Sequence, residues 1–167
     1  DTEILADLRL SGKGLAAGVE ALRHGCTVFT DTRMAAAGLP LRRMIPLGVT
    51  VTPLMALPGL EETARRLGVT RSRAGVAGVA DRLAGQIMVI GNAPTGLLAL
   101  LEALERGAPA PALIVGMPVG FVNAAQSKEL LHQSPWPHFT LLGRKGGSAV
   151  AAACVNALAE LALARRE

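Results

Sequence analysis

QIMVIGNAPTGLLALLEALE, residues 86–105, is the stretch that decides the fold. Its first five residues, QIMVI, are strand formers with no polar alternation, which predicts a strand buried on both faces. GNAPTG at 91–96 reads as a loop. Residues 97–105 then show helical apolar spacing, closed by Gly107 and Pro109. The same unit recurs downstream: strand 112–115, loop GMPVGF at 116–121, helix 124–132. A third copy runs from strand 139–142 through GRKGGS at 143–148 into an Ala-rich helix over 149–164.

Upstream the pattern is weaker but of the same kind. CTVFT at 26–30 is a strand closing at Asp31, and a helix through 34–37 follows, stopped by Gly38 with Pro40 beyond. Helical spacing also appears at 2–8, 14–23, 60–67 and 75–83, with Leu15, Val19 and Leu22 on one face of the second. Gly25 ends that second helix, and 44–51 is a further strand weakened by Pro46 and Gly48. Repeated strand–loop–helix units predict an α/β fold: three layers, α/β/α, with a mostly parallel central sheet. The length suits one domain over 1–167.

In such a sheet a ligand lies beyond the carboxyl ends of the strands. Four loops meet there: Asp31 and its neighbours, 91–96, 116–121 and 143–148. The last three are Gly-rich, so their backbone can approach a ligand closely, and each opens a helix whose free N–H groups favour anions. The same loops also read as tight turns between strand and helix. No nucleotide fingerprint is present: Lys145 precedes its Gly pair where a phosphate-binding loop needs it after, and no G-x-G-x-x-G follows a strand.

Composition narrows the ligand. Half of the 167 residues are apolar but only 2% are aromatic, and 29 Ala with 26 Leu build an aliphatic core. Disorder is excluded by the low charge content and continuous apolar periodicity. A disulfide scaffold is excluded because Cys26 and Cys154 are too few; both are expected as reduced, buried thiols of a cytoplasmic protein. Of the 17 basic residues 14 are Arg, within a net charge of +4. A GC-rich codon bias produces that excess, and so does a site for a polyanionic ligand. Single-stranded nucleic acid needs stacking aromatics, which the chain lacks. No apolar run reaches membrane-spanning length, since the best, 147–164, carries Asn156 and Glu160.

Nucleophilic and metal chemistry find little support. His24, His132 and His138 form no ligand spacing, there is no Cys cluster, and no G-x-S-x-G appears. His24 and His132 sit at helix ends, where the dipole favours them. Among the dense arginines, Arg65 and Arg66 read as a solvated face tempered by Glu61 and Glu62. Arg71 and Arg73, after Gly68, are better placed to reach a ligand. The residues alone therefore describe an α/β domain for a carboxylate- or phosphate-rich small molecule. The chain opens at Asp1 without a Met, as a processed or partial product does.

Longer strings carry a resemblance. IGNAPTGL (90–97), VGMPVGFVNAAQSKELL (115–131) and GRKGGSAVAAACVNAL (143–158), with TDTRMAAAGL (30–39) and VTRS (69–72), resemble the precorrin-8X methylmutase (precorrin isomerase) family in order and spacing. The resemblance implies an isomerase of cobalamin biosynthesis. Such an enzyme moves a methyl group from C-11 to C-12 of precorrin-8X, or of its cobalt-containing equivalent, to give hydrogenobyrinate without a cofactor. It implies a tetrapyrrole substrate rimmed with carboxylates, a homodimer with the pocket near its interface, and no nucleic-acid or membrane partner.

The resemblance also distributes roles. Arg71 of VTRS matches an arginine of the family's substrate pocket, expected to pair with a side-chain carboxylate or the ring periphery. Thr70, Asn92, Thr95 and the backbone of Gly91, Gly120 and Gly147 are expected to line the pocket, with Met34 and Gly38 contributing from the first loop. Lys128 and Arg144 either neutralise carboxylates or are solvated surface charges. The family's proton-donor histidine belongs to a His-Ala-Cys-Gly-like segment upstream of the region where this chain begins. That role is not transferred to His24, and no catalytic residue is assigned. A complete isomerase and a non-catalytic corrinoid-binding domain both remain open at this point.

Overall fold

The computed structural model describes residues 2–164. Six strands form one sheet: β1 (Leu8–Leu10), β2 (Thr27–Thr30), β3 (Thr50–Pro53), β4 (Ile87–Ile90), β5 (Leu113–Gly116) and β6 (His138–Leu141). Their spatial order is β1-β6-β5-β4-β2-β3, and every pairing is parallel except β1 with β6. Among the described residues nine α-helices cover it: α1 (Thr2–Asp7), α2 (Gly14–Arg23), α3 (Arg33–Ala37), α4 (Leu41–Met44), α5 (Leu60–Leu67), α6 (Arg71–Ala77), α7 (Pro94–Glu105), α8 (Ala124–Gln133) and α9 (Ser148–Ala164).

The apolar runs of β4, β5 and β6 explain their central place, because all four residues of each strand are buried. Alternate side chains enter two separate cores. Ile87, Val89, Leu113, Val115 and Leu141 pack beneath α2 and α9. Met88, Ile90 and Ile114 pack against α6, α7 and α8 on the other face. The expected three layers and mostly parallel sheet are therefore observed. The Ala-rich surface of α9 permits close contact: a Cβ on Gly38 would lie 2.7 Å from the Cβ of Ala152, and one on Gly18 2.9 Å from Leu158.

Several expected boundaries shift for local reasons. The strand expected over 44–51 begins only at Thr50, because Pro46 sits in a 3-10 turn (Ile45–Leu47) and Gly48 turns left-handed at φ 68°. The helix expected over 75–83 starts four residues earlier, since the Thr70 hydroxyl accepts the Arg73 N–H at 3.2 Å and caps α6. It ends at Ala77, and a separate 3-10 turn covers Ala80–Arg82. Helix α7 begins at Pro94, where a missing N–H costs nothing. Strand β1 has no counterpart in the sequence reading, and three residues are too few for periodicity to register.

Parallel strands diverge in connection between β2 and β4: from β2 the chain crosses to β3 on one side, then returns to β4 on the other. That gap is the topological switch point, the usual ligand crevice of doubly wound sheets.

Candidate functional site

Asp31, the residue after β2, occupies the switch point. Its Oδ1 accepts the Gly91 N–H at 3.0 Å, and its Oδ2 accepts those of Asn92 at 2.8 Å and Ala93 at 3.0 Å. The residue is 1% exposed. Burial pushes its carboxyl pKa up, and the three backbone N–H groups pull it the other way. This corrects one expectation: the first N–H groups of the 91–96 loop do not await a ligand's anion, because an internal carboxylate already satisfies them. Gly91 and Asn92 can thus line a pocket only by backbone surface and side chain. The sequence reading put Asp31 at this edge without a role. Its signal is an acid closing a strand, one crossover away from a loop of free N–H groups.

The neighbouring loops are tied to one another. Thr32 caps α3 by accepting the Ala35 N–H at 3.0 Å, and its hydroxyl meets that of Ser148 at 2.8 Å. Gly91 lies flush on the start of α9, where a Cβ would come within 2.7 Å of the Ser148 Cα. Met34 is 72% exposed beside this junction. Gly38 closes the far end of α3, packs on α9 and gives its carbonyl to the Asn156 side chain at 2.7 Å. Thr70 and Thr95 meet hydroxyl to hydroxyl at 3.1 Å, joining the starts of α6 and α7.

A second cluster follows β5 and β6. Gly120, at φ 145°, donates its N–H to the Arg144 carbonyl at 3.3 Å. The Arg144 guanidinium stands 5.6 Å from the Phe121 ring centroid, and Phe121 is 87% exposed. Gly147 donates its N–H to the Met117 carbonyl at 2.9 Å. Gly146 presses closer still: a Cβ there would lie 2.3 Å from that same oxygen. Lys128 is fully buried, so its reading as a solvated surface charge is wrong; its Nζ donates to the Lys145 carbonyl at 2.5 Å.

Most arginines are spoken for internally. Arg73 pairs with Glu102, which Arg106 also approaches at 3.6 Å, so Arg73 is not free to reach a ligand as expected. Arg65 pairs with Glu62 at 2.7 Å. Among the described residues six arginines have no ion-pair partner, and three of them, Arg33, Arg71 and Arg144, begin or precede a helix at the carboxyl edge of the sheet. Arg33 was not singled out from the sequence. Arg71 borders a concavity of about 260 Å³ with Met55, Leu57, Leu60, Glu61 and Glu62.

The histidines lie at the other edge. His24 caps the end of α2, His132 is in the last turn of α8, and His138 opens β6 with Nδ1 bonded to the Trp136 carbonyl at 2.8 Å. Burial pushes the Cys26 and Cys154 thiols up to about 11, far from thiolate chemistry. Among the described residues no three His, Cys, Asp or Glu side chains gather as a metal site, and no helix is long and apolar enough to cross a membrane.

A doubly wound sheet with close-packed Gly-rich loops at its carboxyl edge defines a three-layer α/β protein with a candidate site at the topological switch point. The sequence profile of precorrin-8X methylmutase matches residues 1–161. The precorrin-8X methylmutase of Pseudomonas aeruginosa is 45% identical over 159 residues, which are 94% of this chain and 76% of that protein. The cobalt-precorrin-8 methylmutase of Salmonella typhimurium is 42% identical over 159 residues, 95% of this chain and 74% of that protein. The solved precorrin-8X methylmutase of Thermus thermophilus superposes with a TM-score of 0.89 at 41% identity, over 98% of this chain and 80% of that one. The chain belongs to the precorrin-8X methylmutase family.

Proposed function

We propose that this protein is an isomerase of cobalamin biosynthesis that moves a methyl group from C-11 to C-12 of precorrin-8X, or of cobalt-precorrin-8. Family membership over nearly the whole chain carries the reading. The bond from C-11 to the methyl carbon breaks as the bond to C-12 forms, and ring double bonds shift to match. Atoms and electrons balance within the substrate, so no oxidant or reductant is consumed.

The residues at the carboxyl edge have binding and orienting work in this reaction. The macrocycle carries acetate and propionate arms, and a guanidinium fork suits a carboxylate. Arg71 and Arg144 take two of these arms, with Arg33 a further candidate. Thr70, Thr95, Asn92 and Met34 border the ring, together with the backbone of Gly91, Gly120 and Gly147. The exposed Phe121 and Val122 offer an apolar wall for its flat face. Gly38, packed against α9, contributes by fixing the end of α3. The enzyme works in the cytoplasm as a homodimer, with a second copy completing the pocket around a ring much larger than the Arg71 concavity.

A non-catalytic corrinoid-binding domain is the second reading, favoured by one observation: all three histidines lie at the edge opposite Arg33, Arg71 and Arg144. Incubating the full-length protein with precorrin-8X while following the visible spectrum separates the two. Conversion to hydrogenobyrinate is expected; binding without conversion, beside a working control enzyme, supports the second reading instead. In the same series Arg71→Ala should weaken hydrogenobyrinate binding about tenfold or more, the worth of one charge-assisted hydrogen bond, with an unchanged circular dichroism spectrum. Undiminished affinity removes Arg71 from the site. The bound complex should sediment at the mass of two chains.

A further inference from the structure

Lys128 is a buried ammonium whose cost the fold must bear. It is 0% exposed on α8, and its Nζ donates to the Lys145 carbonyl at 2.5 Å. Among the described residues no carboxylate is in ion-pair contact with it. Asp7 of α1 attracts it from farther off, and burial draws its pKa down to about 8. A buried cation without a contacting counter-ion destabilises a fold, and an apolar side chain of similar volume is often better tolerated.

The loop it reaches carries Arg144 to the carboxyl edge of the sheet. Gly143 and Gly147 adopt φ of 79° and 127°, backbone conformations without side-chain anchorage. Two hydrogen bonds tie the loop to the β5 side: the Gly147 N–H to Met117 at 2.9 Å and the longer Gly120 N–H to Arg144 at 3.3 Å. The Lys128 ammonium holds the carbonyl between them, next to Arg144 in the chain.

We propose that Lys128 is a positioning residue: through the Lys145 carbonyl it fixes the 143–147 loop, and with it the Arg144 guanidinium, at the edge where substrate carboxylates bind. The role rests on the functional reading above, and the test keeps the two apart. Lys128→Met fills the same volume without the charge. Its denaturation midpoint should equal or exceed that of the wild type. Hydrogenobyrinate affinity should nonetheless fall about tenfold, as for one charge-assisted hydrogen bond, and amide exchange should accelerate at 143–148 alone.

Gly146→Ala keeps Lys128 but forces its Cβ against the Met117 carbonyl, so it should reproduce the same local exchange pattern. Unchanged affinity and loop exchange in Lys128→Met overturns the proposal. So does a Lys128→Met protein that fails to fold or loses stability throughout, because Lys128 is then a packing residue. If the wild type fails to bind hydrogenobyrinate, the functional reading falls, and the loop exchange still decides whether Lys128 positions the loop.

Discussion

Asp31→Ala should cost the protein about 3 kcal/mol of stability, since a buried donor left without a partner costs on the order of 1–3 kcal/mol and a partly buried one less. Three donors are at stake: the buried N–H of Gly91 and the partly buried N–H groups of Asn92 and Ala93, all served by the buried Asp31 carboxylate. Water entering the gap would recover part of the loss, which is why the estimate sits below the sum. Asp31→Asn is the sharper control. Its amide oxygen can still accept, but its NH₂ group then faces backbone donors, so the variant should fall between wild type and alanine. Urea unfolding measures both. An alanine variant within 0.5 kcal/mol of wild type, the ordinary scatter of surface changes, would mean that the Asp31 contacts carry no stability.

Gly91→Ala is the second large effect, and it acts through shape alone. The new methyl would sit 2.7 Å from the Ser148 Cα and 3.0 Å from its backbone nitrogen. Backbone cannot rotate aside as a long side chain can, so β4 and the start of α9 must separate. Overpacking of this kind costs about 1–3 kcal/mol, and contact with backbone puts this site at the upper end. The Thr32–Ser148 hydrogen bond should be lost with it. Falling stability together with faster amide exchange in the first turn of α9 is the expected signature. Wild-type stability with wild-type exchange would show that the two loops are not packed as described.

Fold and site were legible to different degrees. The apolar runs within 86–90 and 112–115 announce strands buried on both faces, because they are short, lack polar alternation and are rich in β formers. The three-layer sheet follows from their repetition. Strand β1 pairs through three residues, below any periodic signal, and its partner β6 lies more than a hundred residues away. At the site, VTRS stands out by family resemblance, while apolar spacing places the helix it opens four residues too late because it does not register the Thr70 cap before Arg71. Arg73 misled because its partner Glu102 is on another helix, and no spacing rule links α6 to α7. Lys128 was unreadable, since nothing local distinguishes a lysine on a solvated helix face from one turned beneath a distant loop. The anion seat at 91–93 looked open because its occupant, Asp31, lies sixty residues upstream.

That occupant changes what the empty protein is. Many doubly wound proteins leave the switch point as a vacant positive socket, filled and ordered by a phosphate. Here the socket is plugged by the chain itself, so the edge is preassembled before any ligand arrives. The N–H groups at 91–93 are therefore not on offer to a ligand's phosphate. On the function proposed above, recognition of the substrate's carboxylates falls instead to Arg71 and Arg144 at the rim.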